Sequence, residues 1–126
     1  MQKTLVLLTA LLITLSGCTT QSLIKDIEPE EMHQLMDQKI VLVDVRTPAE
    51  FQNEYIPGAI NIDWNSDSFE SKILDFDKNS PIIIYCRSGQ RSYSAANKMQ
   101  ELGFTEIYAL TGGINAWSDA GKPVQK

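Results

Sequence analysis

Histidine and cysteine are scarce: the 126 residues hold one His, His33, and two Cys, Cys18 and Cys86. Zinc and haem sites draw most of their ligands from these residue types, so no metal centre is expected. Blocks of Lys and Arg are also missing. The balance is 11 basic against 16 acidic residues, a formal charge of −5. Nucleic acid is therefore not an expected partner, and an acidic surface would not draw the chain onto anionic lipid. The one long apolar stretch, Leu5 to Leu15, falls short of the ~20 residues of a membrane-spanning helix. Repeats and low-complexity segments are absent.

Lys3 supplies a short positive start to that stretch, and Leu15-Ser16-Gly17-Cys18 ends it. This is the architecture of a secretory signal peptide over residues 1–17. Leu15 to Cys18 resembles the lipobox of bacterial lipoproteins. The resemblance implies that Cys18 is acylated and heads the mature chain. An ordinary signal peptide with an incidental cysteine is the plainer alternative. Residue 19 is Thr. Asp at that place tends to retain Gram-negative lipoproteins on the inner membrane, so the resemblance points to the outer membrane. The expectation is a lipid-anchored, extracytoplasmic protein of the bacterial envelope, facing the periplasm. Residues 18–23 would be a lipidated tether, with Thr19 to Ser22 reaching only about 15 Å when extended. Residues 24–124 are of a length that suits one compact domain. Two cysteines in an exported chain ordinarily suggest a disulfide. If lipid claims Cys18, Cys86 is left alone. An unpaired thiol in an oxidising compartment is a liability unless it is buried or used.

Ile24 to Ile27 predicts a short first strand. Pro29, Glu30 and Glu31 open a helix, and Met32, Leu35 and Met36 give it one apolar stripe. His33 lies off that stripe and reads as a surface histidine. Ile40 to Val45 is apolar almost throughout, as in a parallel strand covered on both faces. Thr47-Pro48-Ala49-Glu50 is a capping box opening a helix that carries Phe51. Ala59 to Ile62 predicts a third strand, and Phe69, Ile73, Leu74 and Phe76 an amphipathic helix. Pro81 to Tyr85 is another continuous apolar strand. From Arg91, the residues Ala95, Met99 and Leu102 recur at helical spacing until Gly103. Glu106 to Leu110 is the last strand. Gly112-Gly113 leads into a short helix with Ile114 and Trp117, stopped by Gly121 and Pro123. Alternating strands and helices imply a parallel sheet with helices on both sides.

The chemistry concentrates in Cys86-Arg87-Ser88-Gly89-Gln90-Arg91-Ser92, between a strand end and a helix start. Ligands of open α/β sheets bind beyond the carboxyl ends of the strands. Converging backbone N–H groups, the helix N-terminus and two arginines would all favour a thiolate at Cys86. A fall of two pKa units, about 2.7 kcal/mol, would make the thiolate dominant at neutral pH. Gly89 permits the tight path. The plainer reading is a buried core cysteine, a common interior residue.

Asp44-Val45-Arg46-Thr47-Pro48-Ala49-Glu50-Phe51, Ile56-Pro57-Gly58-Ala59-Ile60-Asn61, the Tyr85 to Ser92 block, Gly103-Phe104, and Gly112 to Trp117 come in one order. Together they resemble the rhodanese (thiosulfate sulfurtransferase) domain. The resemblance implies a three-layer α/β/α fold with a five-stranded parallel sheet. It also implies two-step transfer of sulfur through a Cys86 persulfide. The donor is thiosulfate or a similar small anion, and the acceptor is thiophilic, either a small molecule or a protein. The N–H groups of Arg87 to Ser92 would cradle the persulfide, and Arg87 or Arg91 would hold the donor. No metal or organic cofactor is implied, and nothing demands more than a monomer. Asp44 and Arg46 read as support, with Arg46 pairing Glu50 and Asp44 accepting backbone N–H groups. Trp117 reads as core or pocket wall. Tyr55 stands where the family often carries His.

Three other readings compete. Dual-specificity phosphatases use Cys-x5-Arg, but here the sixth residue after Cys86 is Ser92 and the arginine falls one earlier. A dedicated persulfide carrier or thiol-redox partner would hold sulfur for one acceptor and turn over thiosulfate weakly. An inactive binding module would lack the cysteine, which is present.

Overall fold

The apolar run after Pro81 becomes the central strand of the sheet, buried along its whole length. The computed structural model describes residues 13–17 and 22–126. Residues 1–12 of the expected signal peptide, and Cys18 with most of the expected tether, lie outside the described residues.

In chain order the elements are β1 (Ile24–Ile27), α1 (Pro29–Met36), β2 (Val41–Asp44), α2 (Pro48–Asn53) and β3 (Ile60–Asn61). They continue with α3 (Phe69–Ile73), β4 (Ile82–Tyr85), α4 (Gln90–Glu101), β5 (Ile107–Leu110) and α5 (Gly113–Asp119). The five strands lie in the order β1-β5-β4-β2-β3, and every neighbouring pair is parallel. This is the α/β architecture that the alternation of elements implied. Boundaries differ from the sequence pattern by a residue or so at most ends. The exception is α3, which closes at Ile73 although the apolar pattern runs on to Phe76. There the Leu74 N–H reaches the Glu70 carbonyl at 3.1 Å and the Asp75 N–H the Lys72 carbonyl at 3.2 Å, a three-residue bond that tightens and ends the last turn.

Side chains alternate across β4. Ile82, Ile84 and Cys86 join one core layer with Ala95, Ala96 and Met99 of α4. Ile83 and Tyr85 face the other layer, with Met32 of α1 and Ile114 and Trp117 of α5. Both faces are covered, so the strand needs no polar alternation. Trp117 is fully buried on the side away from Cys86, with its indole N–H donated to the Pro123 carbonyl at 2.8 Å. It is core rather than pocket wall.

Two local devices set the ends of strands beside one another. The capping box forms as read: Glu50 N–H donates to Thr47 Oγ1 at 3.3 Å, and Thr47 N–H and hydroxyl turn back to Glu50 Oε1. Beyond the paired residues Asp44 and Tyr85, Val45 N–H still reaches the Tyr85 carbonyl at 3.0 Å. The carboxyl ends of β2 and β4 are thereby held together, and Asp44, Arg46 and Cys86 share one end of the sheet.

Candidate active site

Cys86 follows β4 directly and is 1% exposed. Gly89 closes the loop behind it with φ of 112°, a left-handed conformation that glycine adopts without strain. That turn aims the Gly89 N–H at the Cys86 sulfur, at 3.1 Å. Ser92 lies one turn into α4, buried, with its hydroxyl 3.5 Å from the sulfur and 3.0 Å from the Gly89 carbonyl. Burial pushes the Cys86 thiol up. The Ser92 hydroxyl and the N–H groups of Ser92, Gly89 and Ser88 more than offset it, and the thiol is held below its ordinary value. The arrangement is an anion nest at a helix start, centred on sulfur.

The back of the nest is built by α5, a contribution that the loop sequence did not suggest. Ile114 and Asn115 donate backbone N–H groups to the carbonyls of Cys86 and Arg87, at 2.9 and 3.1 Å. A trans peptide points its N–H opposite its C=O. Holding the Arg87 carbonyl on α5 therefore turns the Ser88 N–H toward the sulfur. The approach is so close that a Cβ on Gly113 would lie 2.4 Å from the Cys86 carbonyl oxygen and 2.5 Å from that of Arg87. The Gly112-Gly113 pair is the sequence signal of this contact.

The arginines divide their work differently from expectation. Arg46 does not pair with Glu50. Its Nη2 donates to Asp44 Oδ2 at 2.7 Å, its Nε bonds both Asp44 oxygens at 3.0 Å, and Nη2 also reaches the Glu54 carbonyl. Asp44 accepts the Arg46 backbone N–H as well, at 2.9 Å. The reason is local. Residues two apart at a strand end share a face, while the capping box turns Glu50 outward. Glu50 instead takes Arg91 in a two-pronged pair, at 2.7 and 2.9 Å. Arg91 holds the Glu50 carboxyl down to about 2, against a smaller opposing effect of burial and with help from Thr47.

Arg87 is exposed and makes no ion pair among the described residues. It lines a cleft of about 280 Å³ with Arg46, Glu50, Asn53, Glu54, Ile114 and Asn115. Ser88, Gly89 and Ser92 line a second hollow of about 300 Å³ on the other flank of the loop, next to Asp26, Tyr93 and Thr111. Gln90 is exposed at the first position of α4. Tyr55 stacks on Phe51 with ring centres 4.4 Å apart. His33 is exposed, edge-on to Trp117 on the α1 side.

Residues 28–120 match the model of the Rhodanese-like domain family. The chain is similar to the thiosulfate sulfurtransferase GlpE of Pseudomonas syringae, 37% identical over 93 residues, covering 74% of this chain and 86% of that protein. It is similar to a sulfurtransferase of Allochromatium vinosum, 33% identical over 81% of this chain and 95% of that one. The crystal structure of a rhodanese-related protein from Thermoplasma volcanium superposes with a TM-score of 0.72 at 26% identity, over 80% of this chain and 97% of that chain. With its parallel sheet, its cysteine nest and these relatives in agreement, the chain belongs to the rhodanese-like domain family.

Proposed function

We propose that Cys86 takes up sulfane sulfur as a persulfide and passes it to a thiophilic acceptor. The chain is a rhodanese-type sulfurtransferase, by its family and by relatives of that activity at 33–37% identity. The single observation that carries the covalent step is the nest. A thiol held below its ordinary value, with an N–H at 3.1 Å, has its thiolate stabilised for nucleophilic attack.

The first step is thiolate attack on the outer sulfur of thiosulfate or a similar donor. The donor S–S bond breaks, and sulfite leaves with the bonding electrons. The new Cys86–S–S⁻ carries its charge within reach of the Ser88, Gly89 and Ser92 donors. The second step reverses the roles: a nucleophilic acceptor attacks the terminal sulfur and Cys86 leaves as thiolate. With cyanide the product is thiocyanate. Arg87, exposed in the cleft, orients the anionic donor. Asp44 and Arg46 hold the strand end in place beneath it.

Intact mass of the purified protein tests this. Thiosulfate should add about 32 mass units, one sulfur atom, to Cys86, and cyanide should remove them. Cys86→Ser should do neither. Release of phosphate from an aryl phosphate without persulfide formation would sink the reading. Sulfur loading without turnover to cyanide would make the protein a dedicated carrier instead.

The Leu15 to Cys18 motif supports a second part of the proposal: cleavage after residue 17 and acylation of Cys18, with Thr19 in place of Asp pointing to the periplasmic side of the outer membrane. All strands run the same way. The tether joins the amino end of β1 while Cys86 stands at the carboxyl end of β4, so the cleft would face away from that membrane. Labelling with an alkynyl fatty acid should mark the wild-type protein and not Cys18→Ala, which should fractionate as soluble.

A further inference from the structure

We propose that Glu50 determines donor specificity: by holding Arg91, it strips the cleft of net positive charge and selects sulfur donors of low charge over dianions. This rests on the sulfur-loading reading above and names the donor class for the same site.

The charges around the cleft cancel. Arg46 is matched by Asp44 at 2.7 Å, and Arg91 by Glu50 at 2.7 Å. Arg87 and Glu54 remain, one positive and one negative, both lining the cleft. The Cys86 thiolate adds a negative charge of its own. A dianion such as thiosulfate approaches this group without net attraction. An alkyl persulfide, R–S–S⁻, carries one charge and suffers half the repulsion. The balanced step is the same: the thiolate attacks the outer sulfur, the donor S–S bond breaks, and R–S⁻ leaves with the electron pair. Charge is conserved and no oxidant enters.

Glu50 is built for this role rather than placed by chance. Thr47 fixes its carboxylate from α2, at 3.1 Å from the hydroxyl. The pair to Arg91 joins residues 41 apart in sequence, tying α2 to the start of α4. Arg91 stands 2.7 Å from Glu50, which itself lines the cleft. Freed from Glu50, Arg91 is the second guanidinium that a dianion needs.

Glu50→Gln keeps the capping box, which accepts Gln as well as Glu, and removes only the charge. Sulfur loading of Cys86 would be followed by intact mass with thiosulfate and with 2-hydroxyethyl persulfide, at low and high salt. E50Q should load from thiosulfate about tenfold faster at low salt, in the range of electrostatic steering. Its rate with the persulfide should rise less than about threefold, and the gain should shrink at high salt. The wild-type rate with thiosulfate should stay flat or rise with salt. An unchanged or lower thiosulfate-to-persulfide ratio in E50Q overturns the inference. If E50Q does not fold, the wild-type salt series decides: a fall of about fivefold or more marks a net positive cleft and also overturns it. A wild-type Cys86 that gains sulfur from neither donor overturns the sulfur-loading reading, and the inference falls with it.

Discussion

The Asp44–Arg46 and Glu50–Arg91 pairs border one cleft, yet water reaches only the second. In the first the side chains are 0% and 5% exposed, and each is also bonded to backbone. In the second they are 31% and 26% exposed. A buried pair is costly to break, because removing one partner strands the other charge away from water. A pair open to solvent contributes little to stability. The difference separates two jobs that a count of charged residues would merge: the sealed pair holds the strand end, and the open pair sets the charge that a donor meets.

The largest expected effect tests the sealed pair. Asp44→Asn leaves Arg46 charged and buried, and urea unfolding should show a loss of about 3–5 kcal/mol. Replacing both partners by apolar residues of similar volume should recover most of it. If the double variant is as unstable as the single one, the pair does more than satisfy itself. Next comes the wall behind the nest. Gly113→Ala forces a side chain into the Cys86 and Arg87 carbonyls at φ of 59°. Sulfur loading should fall roughly 10²-fold, the scale of losing an anion-hole donor. The thiol should also titrate higher, measured as the pH profile of alkylation.

The open pair should respond more weakly. Glu50→Gln should cost about 1–2 kcal/mol in urea at neutral pH, less than Asp44→Asn, because water at both partners screens the charge that the lowered Glu50 carboxyl reports. A loss as large as that of Asp44→Asn would erase the contrast. The smallest effect is its pH dependence. Glu50 is held at about 2 in the folded protein, against ~4.3 in an unfolded chain. Between those values the unfolded chain binds more protons. The contribution is therefore present in full above about pH 4.3 and is lost as pH falls toward 2. Acid titration of wild type against E50Q should show the curves converge at the acid end.

Much of this was readable from short stretches. The continuous apolar runs at β2 and β4, the Thr47–Glu50 capping box, and Gly89 after Cys86 each act within a few residues of themselves. Those interactions are set by side-chain chemistry and backbone geometry, which a sequence displays directly. The pairing of Arg46 was misread because two acids stood within reach along the chain, Asp44 and Glu50. Only the pleat of the strand end, against the outward turn of α2, chose between them.

The chain's order of residues decided the elements, the parallel α/β class and the place of the cysteine loop at a strand end. Tertiary packing decided that Arg91, not Arg87, is the paired arginine of the cysteine loop, and what stands behind the sulfur. Arg91 meets Glu50 across 41 residues, and α5 meets the Cys86 carbonyl across 28, from Ile114 to Cys86. Contacts of that separation depend on how α2, α4 and α5 seat against one sheet, and no local pattern encodes it.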